Sequence, residues 1–291
     1  MEKPTITRAM INAYDEYTHL TLDRRAFMEK LTALAGSGAA AAAIVPLLAA
    51  NGAAAQIVAA DDERLIAEDV VYPGAQGEMK GYLVRPKQAA DSLPAVIVIH
   101  ENRGLNAHIR DVARRMALEG FVALAPDFLS PQGGTPADED RAREMFGSLD
   151  AEATAADAEA TRAYLAGLDG ANGRVGAVGF CWGGGLVNQL AVRSPELNAG
   201  VAYYGSQAPA EGVPAIAAPL MLHYAGLDDR INAGIEAYRA ALEENGKAFE
   251  IHVYEGVNHA FNNDTSAARY DKTAADLAWG RTVGFFRKHL S

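Results

Sequence analysis

The chain has 291 residues, 49% hydrophobic and 22% charged, which is enough apolar side chain for a large core and excludes global disorder. Its 26 Lys and Arg against 37 Asp and Glu give a formal net charge of −11. That balance argues against a nucleic-acid partner, which needs clustered cations to meet phosphates, and a single cysteine, Cys181, excludes an intramolecular disulfide.

Residues 1–60 stand apart. Lys3, Arg8, Arg24, Arg25 and Lys30 balance Glu2, Asp15, Glu16, Asp23 and Glu29, so the whole net charge lies in residues 61–291. From Leu31 to Ala60 there is no charge, and Ala dominates between Gly36, Gly38, Pro46 and Gly52. The pair Arg24–Arg25 precedes this run, and Ala53-Ala54-Ala55 offers a small-residue cleavage site. The order reads as a twin-arginine secretory signal cut near residue 55. It implies the twin-arginine export machinery as a partner and a periplasmic or exported location, with a cytoplasmic one as the alternative. An Ala-rich helix retained on the protein is a second reading. A membrane anchor is a third, although an anchor favours about twenty strongly apolar residues.

Residues 61–291 read as one α/β domain. A short β pair is expected at 70–72 and 79–85, joined by a turn with Gly74 and Gly77. The β-branched run 95–99 suits a strand buried on both faces. A helical pattern follows at Ile109, Val112, Ala113, Met116 and Ala117, stopped by Gly120. Residues 121–125 form the next strand, ended by Pro126, with helices near 137–146 and 151–168. Strands at 175–180, 199–204, 220–224 and 250–254 then alternate with helices at 181–193 and 235–244, and a final helix spans 268–289. Such alternation gives a mostly parallel sheet with helices on both faces, whose chemistry collects at the carboxyl ends of the strands.

The sharpest signal is Gly179-Phe180-Cys181-Trp182-Gly183-Gly184, which follows a strand and opens a helix. It is a nucleophile elbow with Cys in place of Ser. The helix N-terminus favours thiolate over thiol, and the thiolate is the nucleophile. An acid and a base are expected further along in that order. Asp228, with Asp229 as its neighbour and rival, follows the 220–224 strand, and His259 follows the 250–254 strand. An imidazole can move protons while a carboxylate fixes its tautomer. The other six histidines, at 19, 100, 108, 223, 252 and 289, lack this joint placement, although His100 ends a strand. The segment His100-Glu101-Asn102-Arg103-Gly104 occupies the loop that supplies a second oxyanion donor. The backbone N–H groups of Asn102 and Trp182 are the candidates for that hole. Glu101 can take the thiol proton or pair with Arg103. There is no zinc signature, so no metal and no cofactor are expected.

These residues are familiar as a set. From about residue 66 to 290 the chain resembles the dienelactone hydrolase family, a Cys branch of the α/β hydrolases. The resemblance rests on Gly179-Phe-Cys-Trp-Gly-Gly, Glu101, Ala125-Pro-Asp127, Ala202-Tyr-Tyr-Gly205, Asp228 and Asn258-His-Ala-Phe261. It implies the α/β-hydrolase fold, a Cys181–His259–Asp228 triad, and a Glu101 that holds the resting thiol and takes its proton when substrate binds. The implied substrate is a small-molecule ester or lactone, with Arg103, Tyr204 and Phe261 as candidate binding residues. A thioesterase or peptidase on the same elbow, or a thiol sensor or carrier, are the alternatives. The two arginines that clamp a dienelactone carboxylate in the family are missing: residues 128–132 contain none, and Asn263 holds the second position. Arg does this bidentate work and Asn cannot.

Overall fold

The computed structural model describes residues 5–19, 21–49, 56–88 and 92–291. Eight strands form one sheet in the order β1-β2-β4-β3-β5-β6-β7-β8. Strands β1 (Leu65–Pro73) and β2 (Glu78–Pro86) pair antiparallel, and β2 pairs antiparallel with β4 (Val122–Asp127). The rest are parallel: β3 (Leu93–Ile99), β5 (Ala171–Phe180), β6 (Ala199–Tyr203), β7 (Leu220–Ala225) and β8 (Phe249–Tyr254). This is the expected α/β-hydrolase sheet. Residues 95–99 are fully buried, as a β-branched run between two helical layers should be.

Pro126 does not end its strand. It pairs with Gly81 at the seam with β2, and Asp127 carries the pairing one residue further. The Asp127 carboxylate then accepts from the backbone N–H of Leu129 and Thr135 and from the Thr135 hydroxyl, which fixes the loop beyond β4.

One apolar cluster lies on each face of the sheet. A third is built by the N-terminal segment, whose helices are α1 (Arg8–Thr18), α2 (Arg24–Ala35) and α3 (Gly38–Leu48). Helix α1 is capped by Thr7 and buries Met10, Ala13, Tyr14, Tyr17 and Thr18, the i, i+3, i+4, i+7, i+8 face of an amphipathic helix. Tyr17 stacks on Phe27 of α2, with ring centroids 4.6 Å apart. The segment is also tied to the domain: Arg143 donates to Tyr17 O, Asn102 Nδ2 donates to Thr18 O, and Arg269 lies 3.6 Å from Asp15. No single helix among the described residues is long and apolar enough to cross a membrane; α2 and α3 pass only as a pair bent by 110°. The expected cleavage site at residues 53–55 lies outside the described residues.

The remaining helices position the site. They are α4 (Ala107–Leu118), α5 (Glu139–Gly147), α6 (Ala151–Ala166), α7 (Trp182–Arg193), α8 (Asp229–Asn232), α9 (Ile235–Glu244) and α10 (Lys272–Leu290). The start of α7 runs backbone to backbone against the loop after β6. A Cβ on Gly205 would overlap the main chain of Gly184 and Gly185, and one on Gly183 would meet the carbonyls of Ile99 and His100. Gly205→Ala therefore forces two backbones apart and is expected to cost about 1–3 kcal/mol, read as a lowered Tm. An unchanged Tm would show that the contact can relax.

Candidate active site

Cys181 sits between β5 and α7 with φ 55° and ψ −114°. A non-glycine residue in this region is strained, and here the strain turns the side chain out above the sheet. Its N–H is tied to Tyr203 O at 3.0 Å. Trp182 is the first residue of α7, so its N–H has no acceptor within the helix and stands beside the sulfur. Cys181 is only 9% exposed, so any group that reaches Sγ must enter a defined cavity.

Asp228 follows β7 and His259 follows β8. His259 Nδ1 lies 2.5 Å from Asp228 Oδ2, and both side chains are buried. A carboxylate can only accept, so Nδ1 carries the proton and Nε2 faces inward. That Nε2 is buried and has no hydrogen-bond partner. Burial pushes the His259 pKa down, but the charges of Asp15, Cys181 and Asp228 outweigh it and hold His259 well above the ordinary imidazole value. Burial pushes the Asp228 carboxyl up, and His259 more than offsets this, leaving it below the usual carboxylate range. Asp229, the rival, is exposed in the first turn of α8.

A histidine absent from the expected set reaches the sulfur. His19, just past α1, places Nε2 3.3 Å from Cys181 Sγ, across 162 residues of sequence. Its ring meets that of His259 edge-on, centroids 4.8 Å apart. Burial pushes the Cys181 thiol up, yet the charges of His259 and His19 and the hydrogen bond from His19 pull it down to about 6.

Glu101 follows β3 as expected and lines a small cavity with Cys181 and His259. Its hydrogen bond goes elsewhere. Oε2 accepts from Asn263 Nδ2 at 2.8 Å, while Oε1 is buried without a partner. The group bonded to Sγ is His19, so the expectation that Glu101 holds the resting thiol is corrected. Asn263, at the family's arginine position, is spent on this carboxylate and on the hydroxyl and backbone N–H of Thr265.

The other expected residues divide. Trp182, Asn102 and Tyr204 line a cavity of about 240 Å³ that holds Cys181, together with His19, Arg143, Ser206 and Arg230. Tyr204 has φ 39° and a buried hydroxyl without a partner, and its ring lies 4.8 Å from that of His259. Arg103 is not on that cavity but lines the small one with Glu101, Cys181 and His259. It pairs with Glu139 at 2.6 Å and donates to Tyr14 OH at 3.3 Å. Phe261 lines neither cavity that reaches Sγ; it is fully buried against Tyr203, Tyr204 and Tyr254. It supports Tyr204 rather than substrate. His100 is buried too: Nδ1 contacts Glu101 O, Nε2 accepts from Phe128 N, and the ring stacks on Trp182. It shapes the loop that carries Glu101.

Two groups of side chains, His19–Cys181–His259 and Asp15–Asp228–His259, bring potential ligand atoms within 4.8 Å of one another. Within them His19 is hydrogen-bonded to Cys181 and His259 to Asp228, while His259 Nε2 and Asp15 Oδ1 have no hydrogen-bond partner; no metal is assigned.

Comparison with known proteins identifies the family. The model of the dienelactone hydrolase family matches residues 79–290. The chain is 33% identical over 243 residues to a candidate carboxymethylenebutenolidase of Escherichia coli O157:H7, covering 78% of this chain and 89% of that one. It is 32% identical over 240 residues to a candidate 2-oxo-3-(5-oxofuran-2-ylidene)propanoate lactonase of a Bradyrhizobium species, covering 77% and 96%. Among solved structures, a candidate dienelactone hydrolase of Klebsiella pneumoniae superposes with a TM-score of 0.69 at 30% identity, over 77% of this chain and 99% of the other. With the fold, the elbow and the matched residues in agreement, the chain belongs to the dienelactone hydrolase family of α/β hydrolases.

Proposed function

We propose that the chain is a cysteine-dependent hydrolase of ester or lactone bonds, working through a Cys181–His259–Asp228 triad and an acyl-enzyme. The observation that carries this is the strained Cys181 elbow in one cavity with an imidazole whose outer nitrogen is held by a buried carboxylate. The names of the E. coli and Bradyrhizobium relatives point to the same bond type.

The thiolate adds to the substrate carbonyl, and the carbonyl electron pair moves onto oxygen beside the N–H groups of Trp182 and Asn102. Such donors, fixed before reaction, stabilise charge that develops only in the transition state. The His259 imidazolium gives its proton to the leaving oxygen. Now neutral, it takes a proton from water, and the resulting hydroxide cleaves the thioester. Asp228 keeps the imidazole in the tautomer that both steps need.

A cavity of about 240 Å³ favours small substrates. Arg143 and Arg230 line it, and Arg143 Nε is buried without a partner. These two cations are placed to receive an anionic group in the larger cavity, whereas Arg103 lines the smaller one and is paired with Glu139.

Stopped-flow hydrolysis of p-nitrophenyl acetate by the full chain tests the reading. A burst followed by steady turnover is expected, and release without a burst together with full activity in Cys181→Ser would refute it. The pH dependence follows from the thiol. Thiolate is the reactive form, so kcat/KM should fall about tenfold per pH unit below about 6 and level off above it. Because His259 is held well above its ordinary value, the alkaline limb should lie above the usual imidazole range. A profile rising only near the pKa of a free thiol, about 8.5, would contradict both statements.

A further inference from the structure

We propose that His19, carried by the N-terminal helical segment, is a further catalytic residue: its Nε2 takes the Cys181 thiol proton and keeps it during the life of the acyl-enzyme. The proposal rests on the acyl-enzyme reading above and assigns the proton-accepting role there to a residue outside the triad.

The tautomer is fixed by geometry. His19 Nδ1 lies 2.7 Å from the Asp15 carbonyl oxygen, which can only accept, so Nδ1 carries hydrogen. In the neutral ring, Nε2 is then a bare acceptor 3.3 Å from Sγ. The Asp15 carboxylate stands 3.6 Å from the same Nδ1 and supports the ring when it is charged. Both rings are thus fixed at Nδ1, His259 by the Asp228 carboxylate and His19 by the Asp15 backbone carbonyl. The helix that carries it is anchored, with Tyr17 O bonded to Arg143, Thr18 O bonded to Asn102, and Arg143 lying 3.9 Å over the Tyr17 ring.

The protons balance. The S–H bond breaks and an N–H bond forms at His19 Nε2, giving thiolate and imidazolium with no net change in charge. The sulfur pair then forms the bond to the carbonyl carbon. His259 separately supplies the leaving oxygen's proton and recovers one from water. When the acyl group departs as a carboxylic acid, the regenerated thiolate takes its proton back from His19. Two imidazoles let each proton have its own carrier.

The charged and titratable groups around the sulfur come from every element packed on it. Helix α1 gives Asp15, the loop after β3 gives Glu101, and Tyr204 follows β6. Asp228 and Arg230 follow β7, and His259 follows β8. Tyr14 of α1, Arg103 in the loop after β3, Glu139 and Arg143 of α5, and Arg269, before α10, complete the ring. Among them, the hydrogen bond to Sγ comes from His19.

The test is the pH dependence of Cys181 alkylation by iodoacetamide in the full chain, for wild type, His19→Ala and His19→Gln. The Gln variant holds the segment if the Ala variant loosens it. In both variants the alkylation midpoint should move up by at least about one pH unit, a tenfold loss of thiolate at fixed pH below the midpoint. kcat should fall while Tm in His19→Gln stays unchanged. A midpoint and kcat unchanged in the well-folded Gln variant would overturn the proposal. Alkylation reads the thiol whether or not esters are turned over, so loss of the triad reading through Cys181→Ser kinetics remains a separate outcome.

Discussion

Cys181→Ala is expected to lower kcat on p-nitrophenyl acetate by roughly 10³-fold or more, with Tm close to wild type. On the proposed acyl-enzyme route the sulfur is the atom that forms and breaks the bond to the acyl group, so its loss removes the nucleophile. Residual rate would come from the oxyanion donors and from substrate placement alone. The substitution removes one atom from a residue that is already 9% exposed, and Ala tolerates the elbow's backbone no worse than Cys, so the fold should hold. Paired kinetics and thermal melts check it. Less than a tenfold loss in a folded variant would move the chemistry away from Cys181.

Asp228→Asn is the second large effect. The 2.5 Å contact to His259 Nδ1 exists because a carboxylate accepts from a protonated ring nitrogen. An amide can meet that nitrogen with its own N–H and so favour the opposite tautomer, with the proton on Nε2 and no lone pair facing the reaction. The imidazolium also loses its buried counter-charge. A drop of about 10³–10⁴-fold in kcat follows by analogy with other triads. The alkaline limb should move to lower pH, because Asp228 is one of the charges that raise the His259 pKa. A variant with unchanged kcat and limb would remove Asp228 from the triad, leaving Asp229 as the residue to substitute next.

Much of this was legible in the sequence, for physical reasons. A strand buried on both faces must be apolar throughout, so residues 95–99 and 175–180 announced themselves, and the sheet followed. Cys181, Asp228 and His259 were legible because each closes a strand, and the parallel arrangement brings those ends together. Pro126 misled because a proline usually stops a ladder; here it lies at the antiparallel seam with Gly81. Arg103 and Phe261 sit near the site in sequence, yet a Glu139 partner claims the first and an aromatic core the second. Glu101 was placed correctly along the chain, but its partner Asn263 is 162 residues away.

His19 was not legible, because its only link to Cys181 is tertiary. A local signal existed. Met10, Ala13, Tyr14, Tyr17 and Thr18 repeat at helical spacing, with two tyrosines on the buried face. That pattern belongs to a helix packed on something, while the uncharged Ala-rich run beyond it reads as an export signal. The two readings meet in one consequence: a cut near residue 55 would remove α1, α2, α3 and His19 together. The intact mass of the active protein bears directly on it.

The most direct test of the central claim is acid-quenched mass spectrometry of the full chain during turnover of p-nitrophenyl acetate, with peptide mapping. The account predicts one added acetyl group, on the peptide that contains Cys181, appearing within the burst and disappearing as substrate is exhausted. An acetyl group on another peptide, or turnover with no covalent species in the burst, would contradict it.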